Sequence, residues 1–212
     1  MKILSIDLDY CMSPSIQLYN NIFFDNNPLT RWKDLFNNTD FKENHLVIDQ
    51  SNLLFCFDTF LKSLKHCDKV SFGYEHDSIL FDTQKFSDIE LINIDHHDDV
   101  LGGSYISDVG YNPEGALSKE YCDLCEDGRV NESNWVSWLA NEKKLKSYTW
   151  IGNQNSNKSK NYFNERIVPN YVNVEKENYK FDNYKFDHIY VCLSPQYMPK
   201  NHWHYFSMFI NT

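Results

Sequence analysis

The segment KILSIDLD, residues 2–9, decides the fold. Its apolar residues run almost unbroken into a pair of carboxylates. A strand with one wet face alternates, whereas a near-continuous apolar run fits a strand covered on both faces, as in a parallel sheet. Working outward, five more short runs read as strands: Lys69–Gly73 (KVSFG), Glu90–Asp95 (ELINID), Ser147–Ile151 (SYTWI), Tyr171–Val174 (YVNV) and His188–Leu193 (HIYVCL). Helical patterns lie between them. Within Ser51–Cys67, the residues Leu53, Leu54, Phe57, Phe60, Leu61 and Leu64 fall on one stripe, with Asp49 or Ser51 placed to cap its start. Within Asn134–Lys146, the residues Trp135, Trp138, Leu139 and Leu145 make a second stripe, with Ser133 as the cap. Strands alternating with helices predict an α/β protein, a three-layer α/β/α domain with a mostly parallel sheet.

Composition narrows the class. The chain has 212 residues, which at roughly 150 per domain predicts a single domain over 1–212. It is 42% hydrophobic and 16% aromatic, too apolar for a disordered chain. Thirty acidic residues against 20 basic ones give a net charge of −10, which argues against nucleic acid as a partner, because phosphate binding needs a basic face. No apolar run is long enough to cross a membrane. Two aspartates inside the first apolar run disqualify it as a secretory signal. Six scattered cysteines predict free thiols and a cytoplasmic setting. Cys122 and Cys125 form a lone C-x-x-C and read as free thiols. Gly152–Asn164 is polar and reads as an exposed loop, Gly102-Gly103 and Asn112-Pro113 mark irregular chain, and Lys143-Lys144 and Lys158–Lys160 read as solvated faces.

The chemistry gathers at three predicted strand ends. Residues two apart on a strand share a face, so Asp7 and Asp9 stand side by side with Leu8 turned away. The second strand runs into Gly73-Tyr74-Glu75-His76-Asp77. The third runs into Asp95-His96-His97-Asp98-Asp99, where Asp95, His97 and Asp99 alternate as D-x-H-x-D. In an open parallel sheet the carboxyl ends of the strands line one edge, where ligands bind. Asp7, Asp9, His76, Asp95, His97 and Asp99 are therefore expected to converge. Four clustered carboxylates repel and must otherwise take up protons. Two divalent cations cancel that charge, and a mixed Asp/His set suits Mn²⁺ or another first-row ion.

These residues carry a resemblance. SIDLD followed by Pro14 resembles the S-x-D-x-D…P motif of the ureohydrolases, the arginase and agmatinase superfamily. DHHDD is similar to their D-A-H-x-D motif, and GYEHD resembles their G-G-D-H motif. The nearest likeness is to the ureohydrolase-like family that includes the peptide arginases. It rests on DLDY, the central acidic-His cluster, Asn134-Trp135 and the run from Ser194 to Pro199.

The resemblance implies a binuclear hydrolase of a C–N bond, with two divalent ions, Mn²⁺ on the family's pattern. Asp7 and Asp95 would bridge the ions, His76 and Asp99 would complete one, and His97 and Asp9 the other. A metal-bridging hydroxide oriented by Asp99 would attack a guanidinium carbon. His96, within the D-x-H-x-D pattern, His202 and His204 are the candidates to shuttle the proton to the leaving amine, and the sequence does not choose among them. Asn134, Ser194 and Gln196 would bind a small-molecule or peptide substrate with a cationic guanidino group, such as peptidyl arginine, giving ornithine and urea.

Three departures from the family stand out. The motif order is permuted, which requires the S-x-D-x-D and D-x-H-x-D strands to be sheet neighbours. Tyr74 and Glu75 replace Gly and Asp of G-G-D-H. Gln196 stands near the position of the family's guanidinium-gripping acid, and an amide makes no charge-assisted bond. Gln196 favours another expectation, a metal-dependent amidohydrolase or deacetylase on the same scaffold; a non-catalytic binding protein that keeps the metal site for stability is a third. His202-Trp203-His204 reads as a strand or loop near the C-terminus.

Overall fold

In chain order, strand β1 (Lys2–Asp7) leads into a 3-10 turn (Leu8–Cys11) and a two-residue strand β2 (Met12–Ser13). Helix α1 (Pro28–Asn38), strand β3 (Val47–Ile48) and helix α2 (Gln50–Leu64) follow. Strand β4 (Lys69–Gly73), a 3-10 turn (His76–Ile79) and the short helix α3 (Leu80–Thr83) precede strand β5 (Ile89–Ile94). Helix α4 (Trp135–Asn141), strands β6 (Leu145–Gly152), β7 (Tyr171–Glu175) and β8 (His188–Cys192), and helix α5 (His204–Ile210) complete the chain. The computed structural model describes residues 1–13, 28–38, 46–100, 130, 133–156 and 168–212. Pro14, Gly102-Gly103, Asn112-Pro113, Cys122, Cys125, Lys158–Lys160 and residues 157–164 of the polar loop lie outside the described residues.

Six strands form one sheet in the order β4-β8-β1-β5-β6-β7. Every neighbouring pair in it is parallel. The three central strands, β8, β1 and β5, are buried almost throughout, which explains their continuous apolar sequences. Two cores flank the sheet. Leu4 and Ile6 of β1 face one, with Trp32 and Leu35 of α1, Leu53 and Phe60 of α2, and Phe206 and Phe209 of α5. Ile3 faces the other, with Ile79 and Leu80 beside α3 and Trp135, Trp138 and Leu139 of α4. Helices thus cover both faces, giving α/β/α layers.

The connections obey one crossover hand. Those running toward the β4 edge, β1 to β4 and β7 to β8, pack on the first core. Those running toward the β7 edge, β4 to β5 and β5 to β6, pack on the second. A single hand demands this exchange of faces with direction. The chain therefore leaves β1 and β5, which are adjacent, in opposite directions. Their carboxyl ends border the crevice where such sheets hold ligands.

Several local expectations change. Leu54 is 66% exposed rather than part of the α2 stripe. At 100° per residue it stands well off the line set by Leu53, Cys56 and Phe60. Asp49 caps α2, accepting from the Ser51 and Asn52 amides. The second helix is shorter than its pattern. It stops at Asn141, and Leu145 and Lys146 belong to β6. Lys143 takes the left-handed conformation, φ 54°, and its N–H and that of Lys144 bond back to the Ala140 and Leu139 carbonyls. This is a Schellman stop built without glycine. Asn134, not Ser133, occupies the capping position, and its side chain makes no capping bond. Lys143 is exposed, while the Lys144 ammonium reaches the Gln84 carbonyl. His202-Trp203-His204 is helical, spanning the end of a 3-10 turn and the start of α5.

Candidate metal centre

The register sets strand ends level with one another. Asp7 and Gly73 both align with Cys192, and Ile6 aligns with Ile94. The segments after β1, β4, β5 and β8 thus emerge together. Two of them differ from the alternating strands expected. β1 ends at Asp7, and Asp9 lies in the 3-10 turn that Asp7 starts, because Asp7 Oδ1 accepts from the Asp9 amide at 3.0 Å. Leu8 is buried in the first core. Likewise β5 ends at Ile94. The His97 N–H donates to Asp95 Oδ1 at 2.8 Å, folding the chain at Asp95, and Asp99 turns left-handed with φ 50°. Short polar side chains bond their own backbone readily, so acids at a strand end make turns.

These turns bring all six acid and imidazole side chains together. His76 Nδ1 lies 3.2 Å from Asp7 Oδ2, 3.0 Å from Asp95 Oδ2 and 3.0 Å from Asp99 Oδ2. His97 Nδ1 lies 3.0 Å from Asp9 Oδ2. Two potential donor groups result, Asp7–His76–Asp95 and Asp9–Asp95–His97, each with its ligand atoms within 4.8 Å of one another. Asp95 belongs to both. The first group is fully enclosed, and the second opens to solvent through the His97 side chain, 24% exposed.

A ring of neutral donors orients the acids. Ser194, itself left-handed at φ 48°, donates to Asp7 Oδ2. Asn93 donates to Asp95 Oδ2 at 3.1 Å, and the Trp150 indole donates to the Asp95 carbonyl at 2.9 Å. The Trp135 indole donates to Asp99 Oδ2 at 2.7 Å. Ser5 Oγ lies 2.6 Å from His76 Nε2, leaving Nδ1 toward the acids. Gly73 makes room for the next layer: a Cβ there would stand 1.9 Å from the Tyr190 hydroxyl, which donates to the Glu75 carbonyl at 2.7 Å. Outer-shell partners of this kind fix ligand orientation in metal sites. The sequence reading missed Ser5, Asn93, Trp135 and Trp150 as site residues. Period-two spacing could have found the first two, since Ser5 shares a face with Asp7, and Asn93 with Asp95.

Electrostatics in the metal-free protein are strained. Burial, then Asp9, pushes the Asp7 carboxyl up. Burial, then Asp99 and Asp7, pushes Asp95 up to about 7. Burial raises Asp99 as well. Burial opposes charge on His76, yet Asp7, Asp95 and Asp99 together hold it well above the ordinary range. His97, likewise opposed by burial, is raised to about 10 by Asp9, Asp95 and Asp99. Clustered carboxylates taken out of water favour proton uptake over ionisation.

The donor set fits a cation better than a proton. Three carboxylate oxygens surround His76 Nδ1, but none is aligned to pair with it, and the atom is buried without a hydrogen-bond partner. An orphaned buried nitrogen among acids needs an explanation, and an ion accepting all of these lone pairs supplies one. Asp7, His76, Asp95 and Asp99 are thus able to hold a metal ion.

The remaining expected residues differ in setting. His96 is buried. Its amide donates to Asp9 Oδ1 at 3.4 Å, its ring meets His97 at 4.8 Å between centroids, and its Nδ1 lies 3.4 Å from Ser156 Oγ. Burial holds its imidazole below the usual range. His202 Nε2 lies 3.2 Å from the Leu46 carbonyl, and His204 is exposed beside the Asn201 carbonyl. Ser194, assigned to substrate by resemblance, bonds Asp7. Asn134 and Gln196 are buried, 3% and 7% exposed. No family model, curated protein or solved structure matches the chain.

Proposed function

We propose that the chain is a binuclear metal-dependent hydrolase of the ureohydrolase kind, cleaving a C–N bond in a guanidino group. The observation that carries this reading is the pair of Asp/His donor groups sharing Asp95 at the carboxyl ends of β1 and β5. In it, Asp7, His76, Asp95 and Asp99 hold one ion, and Asp9, His97 and Asp95 the other, Mn²⁺ in both positions. Adjacency of β1 and β5 supports the permuted kinship, which required those strands to be neighbours.

Bound divalent ions supply Lewis-acid polarisation and an activated water near neutral pH. The chain's own residues do the rest. Asp7 and Asp95 are fixed by Ser194 and Asn93, so their carboxylates need no rearrangement. His96, whose imidazole burial holds below the usual range, carries a proton between the centre and the leaving amine. His97 marks the side from which substrate enters, and Tyr197 lies against its ring at 4.8 Å. Free thiols at Cys11, Cys56, Cys67 and Cys192 support a cytoplasmic setting.

A second reading, an amidohydrolase on the same scaffold, is favoured by the buried amide of Gln196 where a cation-binding acid would serve a guanidinium.

Asp95→Asn tests the function. Wild type loaded with Mn²⁺ is expected to release urea from arginine-bearing peptides, and the variant to lose both that activity and metal binding. Amide hydrolysis without urea release would move the assignment to the second reading.

A further inference from the structure

Helix α4 packs in the second core, and its first residue reaches the centre. Trp135 is completely buried. Its indole N–H donates to Asp99 Oδ2 at 2.7 Å, and its ring stands 4.8 Å from the His76 ring. One side chain therefore touches both an acid and the imidazole of the enclosed donor group. Asp99 needs such a partner. It follows β5 by five residues, is left-handed at φ 50°, and is not held by the strand ladder. A short side chain there has several staggered choices. The indole is a fixed, neutral donor that accepts nothing in return, so it selects the rotamer and presents the ionised form.

We propose that Trp135 is a positioning residue for metal: its indole N–H holds Asp99 over His76 and so adds a fourth donor to the Asp7–His76–Asp95 group. The proposal rests on the metal reading above and gives α4 a part in it beyond packing. Trp135 touches Asp99 and His76, neither of which belongs to Asp9–Asp95–His97, so the effect falls chiefly on the enclosed position.

The test is calorimetric titration of Mn²⁺ into chelator-stripped protein. Trp135→Phe keeps a buried ring and removes the N–H. It is expected to weaken one class of Mn²⁺ by about 10–100-fold, the usual effect of losing an outer-shell partner, while the other class keeps its wild-type affinity. Near-ultraviolet circular dichroism of the stripped variant checks that the core is intact. Should Trp135→Phe fail to fold, site-specific 3-benzothienylalanine at position 135 removes only the N–H from an otherwise equal bicyclic ring, and the same selective loss is expected. Unchanged Mn²⁺ affinity in either folded variant overturns the proposal and leaves the metal reading standing. Equal weakening of both classes also overturns it, since that marks a packing defect. A wild-type chain that takes up no Mn²⁺ overturns both.

Discussion

At the residue scale, two buried histidines, His76 after β4 and His188 in β8, show how little their identity says without surroundings. His76 sits among carboxylates, which against the effect of burial hold its imidazole well above the ordinary range. His188, at the start of β8, is pushed down to about 4, chiefly by burial, with Lys69 adding to this and Asp82 opposing. Its Nε2 lies 2.7 Å from Ser71 Oγ and 3.6 Å from Asp82 Oδ2, while its Nδ1 is buried without a partner. An unfolded histidine titrates near 6.5, so the unfolded chain takes the proton first as pH falls. The stability His188 protects is whole above about pH 6.5 and is lost progressively down to about pH 4. The loss amounts to at most about 3 kcal/mol. Urea denaturation of wild type and His188→Gln between pH 7 and pH 4 is expected to show a steeper fall for wild type.

At the element scale, the end of α4 is decided by backbone geometry that composition does not advertise. The Schellman stop puts Lys143 at φ 54°, a conformation that costs an L-residue about 1 kcal/mol and glycine very little. Lys143→Gly is expected to raise stability by about 0.5–1 kcal/mol in chemical denaturation, with no change in metal affinity. A drop in stability would show that the Lys143 side chain matters more than its backbone. The apolar spacing ran on through Leu145 because that residue is buried too, but as part of β6. Hydrophobic periodicity records burial and is silent on where one element hands over to the next.

At the scale of the whole molecule, the centre joins segments that are far apart in sequence, after β1, β4 and β5, with the segment after β8 supporting them. A ligand that binds only this assembled state stabilises all of it. Mn²⁺ at 100 times its dissociation constant is expected to add about 2.7 kcal/mol, which for a chain of this size raises Tm by about 5–10 °C. Differential scanning fluorimetry with and without EDTA reads this directly, and an unshifted Tm would count against the assembled site. The described helices include none long and apolar enough to cross a membrane.

The sequence by itself determined the six strands of the main sheet, the central ones because burial on both faces demands continuous apolar runs, and it marked the acids and histidines at strand ends. It also carried the cap of α2, since Asp49 acts on amides two and three residues away. Tertiary structure alone decided that β1 lies between β8 and β5, since parallel neighbours are chosen by long-range packing and by crossover hand. It decided that Asp9 and Asp99 reach the centre from turns rather than strands. It also brought Trp135 from a packed helix onto Asp99, because a hydrogen bond between residues 36 apart depends on how a helix docks, which no local pattern encodes.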